Sequence, residues 1–174
     1  MTLKLPSNNP LEVDEIRKLY KSVEVRLLIM LGLSLPVFGI VYLYYNSGNL
    51  NWNLPILPKS MEFGLIAMGF LLLLTQWFLY KKKFRSVFKV KDLYKKMFIY
   101  SQASLQRIHI LTISCFLDAA GLLLFKNPLF VVFFAVTLVF FSLAKPTPDR
   151  IIRTMKLDKS SGDLIRQASR PEEK

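Results

Sequence analysis

Four stretches of apolar sequence alternate with stretches dense in lysine and arginine, and this alternation is the first thing the chain shows. The first run, Leu27 to Tyr45, is uncharged and 19 residues long, close to the ~20 needed to cross ~30 Å of hydrocarbon as a helix. The second, about 61–80, carries only Glu62 and stops at Lys81-Lys82-Lys83. A third, about 105–125, includes Arg107, His109 and Asp118 and is the most polar of the four. The fourth, 128–144, has 17 residues without a charge, the lower edge of the spanning range. The pattern predicts an all-α membrane protein with four transmembrane helices arranged as two antiparallel hairpins. Lys126-Asn127 is too short to be anything but a tight turn between spans three and four, with Asn127 as cap and Pro128 in the first helical turn.

Outside the spans, the pattern predicts short amphipathic helices at both ends. Asn9-Pro10-Leu11-Glu12 reads as a helix start, and Val13, Ile16, Tyr20 and Val23 follow at helical spacing. That segment, within residues 1–26, either lies along the membrane surface or runs straight into span one. The loop 81–104 reads as helical extensions of spans two and three joined near Val90-Lys91-Asp92. In 145–174, Lys145-Pro146 breaks the fourth helix, and Thr147 with Pro148 starts another whose apolar face is Ile151, Ile152 and Met155. A second short helix follows Ser160-Ser161, and Arg170 to Lys174 reads as a disordered tail.

Charge turns this frame into an oriented one. The chain is 52% hydrophobic yet carries a net charge of +12, which fits only if charge and apolar sequence are segregated. Residues 1–26 hold 5 basic residues, 81–96 hold 8 and 145–174 hold 8, while Lys59 and Lys126 alone fall on the opposite side. Because loop Lys and Arg set orientation, both termini are expected in the cytoplasm. Tyr42, Tyr44, Tyr45 and Trp52 cluster at the outer boundary, with Trp77 and Tyr80 at the inner one, as interfacial aromatics do. The first ~24 residues lack the short basic start and cleavage site of a secretory signal. A nucleic-acid binder is not expected, because no soluble domain is left to carry a basic face.

Candidate chemistry is sparse. The eight basic residues Lys81, Lys82, Lys83, Arg85, Lys89, Lys91, Lys95 and Lys96 suit anionic lipid headgroups at about 1 kcal/mol each near the surface, or else an acidic partner. Inside the membrane, Asp118 stands out, since an ionised carboxylate there costs at least ~2.5 kcal/mol. Arg107, Leu111, Ser114, Asp118 and Gly121 share one helical stripe, and Ser114 lies one turn from Asp118. On span two, Glu62, Gly69 and Gln76 repeat every seven residues. Antiparallel packing would set Gln76 near Arg107, and Glu62 near Asp118 with a proton to share; the simpler reading of Glu62 is an acid favoured at a helix N-terminus. Asp118 is either hydrogen-bonded structural glue or a functional or subunit-contacting group. Gly32, Pro36 and Gly39 suggest a close-packing face with a kink. The lone His109 reads as interfacial, and the lone Cys115 as a small core residue. No CxxC pair, metal-ligand cluster, phosphate loop or nucleophilic triad is present in the sequence, so neither a metal nor a cofactor is expected and an enzyme is the least favoured class.

Arg107-Ile-His, Gly121-Leu-Leu-Leu-Phe and the run Leu143-Ala-Lys-Pro-Thr-Pro-Asp-Arg-Ile-Ile-Arg-Thr-Met-Lys-Leu157 resemble a pattern of uncharacterised small four-helix inner-membrane proteins of Bacteroidetes-type bacteria. In that pattern an acid follows a leucine early in span three, where Leu117-Asp118 stands here. The resemblance covers mainly the second half of the chain. It implies the topology and a bacterial inner membrane, and brings no activity or catalytic residue. The function expected is a non-catalytic subunit or accessory protein of a larger membrane assembly, contacting other subunits or copies of itself. The alternative is a small proton-coupled transporter or ion-conducting oligomer that uses Asp118.

Overall fold

The computed structural model describes residues 10–48, 57–90 and 92–170. Among them the regular structure is entirely helical: α1 (Pro10–Asn46), α2 (Lys59–Phe84), a 3-10 turn (Arg85–Lys89), α3 (Leu93–Phe125), α4 (Leu129–Ala144), α5 (Pro148–Met155) and α6 (Lys159–Ser169). The expected Asn9 cap, the interfacial Trp52, Lys91 and the tail 171–174 lie outside the described residues, as does the side chain of Lys89.

Three helices, α1, α2 and α3, are long and apolar enough to cross a membrane. Helix α4 has 16 residues and at 1.5 Å per residue spans only ~24 Å, just short of the ~30 Å hydrocarbon core. It passes the same test only together with α5, from which it is bent by 79°. The bend is where Lys145-Pro146 predicts it: proline cannot donate to the helical ladder, and α5 restarts with Thr147 extended and Pro148 in its first turn. The chain is therefore an all-helical membrane protein with three or four candidate spans.

Helix α3 is the axis of the molecule. Helices α1, α2 and α4 each pack chiefly on it, and α1 and α2 make little contact with each other. The expected first hairpin thus exists as two helices flanking α3 rather than as a packed pair. The second is a packed antiparallel pair, closed by Lys126 in the left-handed region (φ 53°) with its N–H on the Leu122 carbonyl. Asn127 Oδ1 then accepts from the Leu129 N–H at 2.9 Å, so the asparagine caps α4 as its position predicts. Gly121 is required here, because a β-carbon on it would lie inside the Phe130 ring. The small residue lets α4 close onto α3.

At 37 and 33 residues, α1 and α3 would run ~55 Å and ~50 Å, well beyond a bilayer core. Their excess builds a second hydrophobic core at the end carrying the basic segments. There Val13, Ile16 and Tyr20 of α1 meet Met97 and Tyr100 of α3, Val87 of the 3-10 turn, Ile151 and Met155 of α5, and Leu164, Ile165 and Ala168 of α6. The chain N-terminal to span one therefore runs straight into it as one helix. A buried Tyr20 hydroxyl donates to the Pro146 carbonyl at 3.1 Å and ties the base of α1 to the α4–α5 elbow. Burial, with a smaller contribution from Glu24, pushes the Tyr20 phenol upward, so it stays a neutral donor, and burial beside Tyr80 pushes Tyr100 the same way. The membrane core is separate, built from Val23, Leu27 and Phe38 of α1, Leu73 of α2, Ile108, Leu111 and Leu122 of α3, and Phe130, Phe134 and Phe141 of α4.

Candidate functional site: a polar seam between α2 and α3

The polar stripe of α3 faces inward along its whole length. Arg107, Leu111, Ser114, Asp118 and Gly121 are all buried, as their spacing requires. On α2, only Gly69, Leu73, Gln76 and Phe84 are buried, so Gly69 and Gln76 of the predicted seven-residue repeat form the face turned to α3.

The register between the two helices follows from four contacts. Glu62 Oε1 accepts from Asn127 Nδ2 at 2.6 Å. A β-carbon on Gly69 would sit 3.8 Å from Asp118 Oδ1. The Arg107 guanidinium lies 5.2 Å from the centre of the Tyr80 ring, and Lys83 Nζ donates to Gln106 Oε1 at 3.4 Å. As the α2 number rises through 62, 69, 80 and 83, its opposite number falls through 127, 118, 107 and 106, which is antiparallel packing. The expected placements shift: Tyr80, one turn on from Gln76, stands against Arg107, and Gly69, two turns on from Glu62, stands against Asp118. Glu62 is instead a half-buried acceptor that pins the α3–α4 turn, so it shares no proton with Asp118.

Asp118 is fully enclosed within a single chain, so no second subunit is needed to remove it from lipid. Its Oδ2 lies 3.4 Å from the Thr137 hydroxyl of α4, which also reaches Ser114 Oγ at 3.5 Å. Ser114 therefore meets Asp118 through Thr137, a residue the sequence reading passed over; a hydroxyl in mid-run of a span whose one other polar side chain is Ser142 was its signal. Thr137 has one proton, and its shorter contact, 2.9 Å, is to the Phe133 carbonyl one turn back. The carboxyl is thus thinly satisfied, and Oδ1 has no hydrogen-bond partner. The same holds for both polar atoms of Gln76 and for Nε and Nη2 of Arg107. Each unmet buried group costs about 1–3 kcal/mol, so three such side chains along one seam mark its polarity as a feature to be explained by more than packing.

The seam has a wide end and a closed end. At the basic end Arg107 lines a cavity of about 480 Å³ with Trp77, Tyr80, Leu143, Asp149, Arg150, Arg153 and Thr154. A second cavity, about 580 Å³, lies between α1 and α3 and is lined by Arg26, Lys83, Gln106 and His109 among others. Asp118 lines neither, and the packing of Phe130 on Gly121 blocks the seam one turn beyond it.

The remaining candidates fall away from this seam. Gly32 and Gly39 have no atom within 4 Å of an added β-carbon, and Gly32 and Pro36 are exposed. The packing face of α1 is instead Val23, Leu27, Ser34 and Phe38, and the helix runs unbroken through Pro36. Lys81, Lys82, Arg85 and Lys95 point outward from the basic-end core, while Lys83 and Lys96 are half-buried. Lys81 also sits 4.7 Å over the Trp77 ring. His109 is exposed, and Cys115 is buried as expected of a small core residue. Among the described residues no group of three or more His, Cys, Asp or Glu could hold a metal ion.

No protein-family model, no curated protein and no solved structure matches the chain. The likeness to small Bacteroidetes-type membrane proteins accordingly rests on the quoted residues alone, and the functional reading rests on the geometry.

Proposed function

We propose that this chain is a four-span, non-catalytic accessory or scaffold subunit of a bacterial inner-membrane assembly, with both termini and a basic head in the cytoplasm. One observation carries the reading: the described parts of the basic segments lie on a second hydrophobic core, joined to the membrane core by α1 and α3, which run unbroken through both. An ordered, cationic platform held rigidly to the membrane suits docking of an acidic partner or apposition to anionic headgroups, and unstructured lysines would serve for topology alone. Purification in mild detergent after crosslinking tests it. The expected result is a reproducible stoichiometric partner, or a defined self-assembly, that is lost when Lys81, Lys82 and Arg85 are changed to glutamate. A solitary 20.2 kDa chain would contradict it.

The seam favours a second reading, a proton-coupled transporter, on the specific ground that Asp118, Gln76 and Arg107 all carry unpartnered polar atoms in one interface. In that case Asp118→Asn abolishes proton-linked flux in proteoliposomes while leaving the fold intact. Unchanged flux removes Asp118 from any mechanism.

A further inference from the structure

We propose that the cavity at the basic end of the seam is a binding site for the phosphate group of an anionic phospholipid from the adjoining leaflet, with Arg107 as its buried anchor. Arg107 is 6% exposed and lines the cavity, and its Nε and Nη2, themselves enclosed, have no partner among the described residues, so the guanidinium charge at the cavity wall is left unneutralised. A planar fork of N–H donors matches two phosphate oxygens at once, which a lysine cannot do. The Tyr80 ring lies 5.2 Å from the guanidinium carbon and offers it a cation–π partner.

The walls add charge of one sign. Arg150 and Arg153 of α5 line the same cavity, and Arg150 Nη1 is already donating to the Leu143 carbonyl, which positions the side chain at the rim. The one acid among the described lining residues, Asp149, is paired with Arg166 of α6 at 3.1 Å. Three guanidiniums thus face the cavity against a carboxylate that has its own partner. The 79° bend between α4 and α5 is what brings the arginines of α5 over Arg107.

The surroundings select a lipid over a free ion. Trp77 and Leu143, the lining residues that belong to the apolar runs of α2 and α4, are 39% and 44% exposed, so the cavity is bordered by apolar surface where acyl chains would lie. Tryptophan and tyrosine mark the headgroup level. A volume of about 480 Å³ lies within the range of small-molecule sites, about 300–1,000 Å³, and basic pockets between membrane helices take anionic headgroups. This assignment does not depend on whether the basic head docks a protein.

The test uses the full-length protein in mild detergent, titrated with short-chain phosphatidylglycerol, the same-chain phosphatidylcholine, or inorganic phosphate, and read by native mass spectrometry and by the thermal midpoint. Phosphatidylglycerol is expected to bind saturably and raise the midpoint, phosphatidylcholine to bind at least 10-fold more weakly, and phosphate alone to do neither at millimolar concentration. Arg107→Gln should weaken the phosphatidylglycerol affinity at least 10-fold and Arg107→Lys by an intermediate factor. Lys95→Gln, which removes one exposed charge from the same head, should leave it within 2-fold. If Arg107→Gln does not fold, the exposed Arg153→Gln replaces it, with at least a 3-fold loss expected. Wild-type affinity in the Arg107 variant, or in Arg153→Gln where that stands in, overturns the site. Equal binding of both lipids, or saturation by phosphate alone, overturns the anionic lipid as its occupant.

Discussion

Replacing Gln76 with leucine should make the protein more stable, and the size of the gain follows from its surroundings. Gln76 is 0% exposed, and neither Nε2 nor Oε1 has a hydrogen-bond partner. It faces α3 one turn from Tyr80, at the level where the register places Leu111 to Ile113. Two unmet polar atoms at about 1–3 kcal/mol each set the gross penalty, and leucine removes both at nearly constant volume. Part of that returns because helices unfolded within detergent also find partners for an amide, as the modest measured worth of ~0.6 kcal/mol for interhelical hydrogen bonds implies. A net gain of about 1–2 kcal/mol remains, which at ~2–4 °C per kcal/mol is a rise of several degrees in the thermal midpoint. The assay is thermal unfolding in a fixed detergent, followed by helix signal and by a tertiary probe such as the Trp77 fluorescence. A midpoint that falls by 2 °C or more would mean that Gln76 is satisfied, by water or by a rotamer reaching Arg107, and the seam would no longer be short of partners. Should the variant be more stable yet lose an activity or a partner, the amide is retained for that activity at a cost in stability.

Other substitutions probe other joints. Gly121→Ala drives a β-carbon into the Phe130 ring and should cost about 1–3 kcal/mol of overpacking, recovered in part by Phe130→Leu; additive losses in the double variant would mean the two do not touch. Thr137→Val removes the only side chain among the described residues within hydrogen-bonding reach of Asp118, so its effect on stability should be small alone and absent in an Asp118→Leu background, as a double-mutant cycle would show. Lys126→Gly relieves a left-handed backbone and should stabilise the α3–α4 turn by up to ~1 kcal/mol, measured as a raised midpoint, whereas a drop would mean the lysine side chain holds the turn. Ile151→Ala empties a fully buried position in the basic-end core at a cost of about 2–5 kcal/mol, and limited proteolysis should then cut near α6 before the membrane helices; uniform resistance would argue against a separate core there.

Much of this architecture is written into single residues. Lys126-Asn127 could only be a tight turn, Lys145-Pro146 could only end a helix, and the 107–121 positions of α3 could only share one face, because each depends on spacing or backbone chemistry within a few positions. The longer-range errors share one cause. Periodicity tells which face of a helix is polar but not how far a neighbour slides along it, so the α2 stripe was legible while its partners were displaced by one to two turns. Gly32 and Gly39 failed similarly: small residues permit close approach, but Leu27, Ser34 and Phe38 already supply the packing face of α1, leaving the glycines outside. The basic-end core was invisible because its pieces, from Val13 to Ala168, lie far apart in the chain and each looks like an ordinary amphipathic turn. The cavity at Arg107 depends on that same long-range assembly.

Four crossings with both basic ends on one side are tested most directly by site-directed labelling. The single cysteine, buried Cys115, can be changed to serine, and new cysteines placed singly at Ser60 and Lys126 at one end and at Arg85 and Ser160 at the other, all exposed. With a membrane-impermeant maleimide, Ser60→Cys and Lys126→Cys should react in spheroplasts, while Arg85→Cys and Ser160→Cys should react only after permeabilisation. Labelling of Lys126→Cys and Ser160→Cys from the same side would mean that α4 does not cross the membrane, and would leave three spans rather than four.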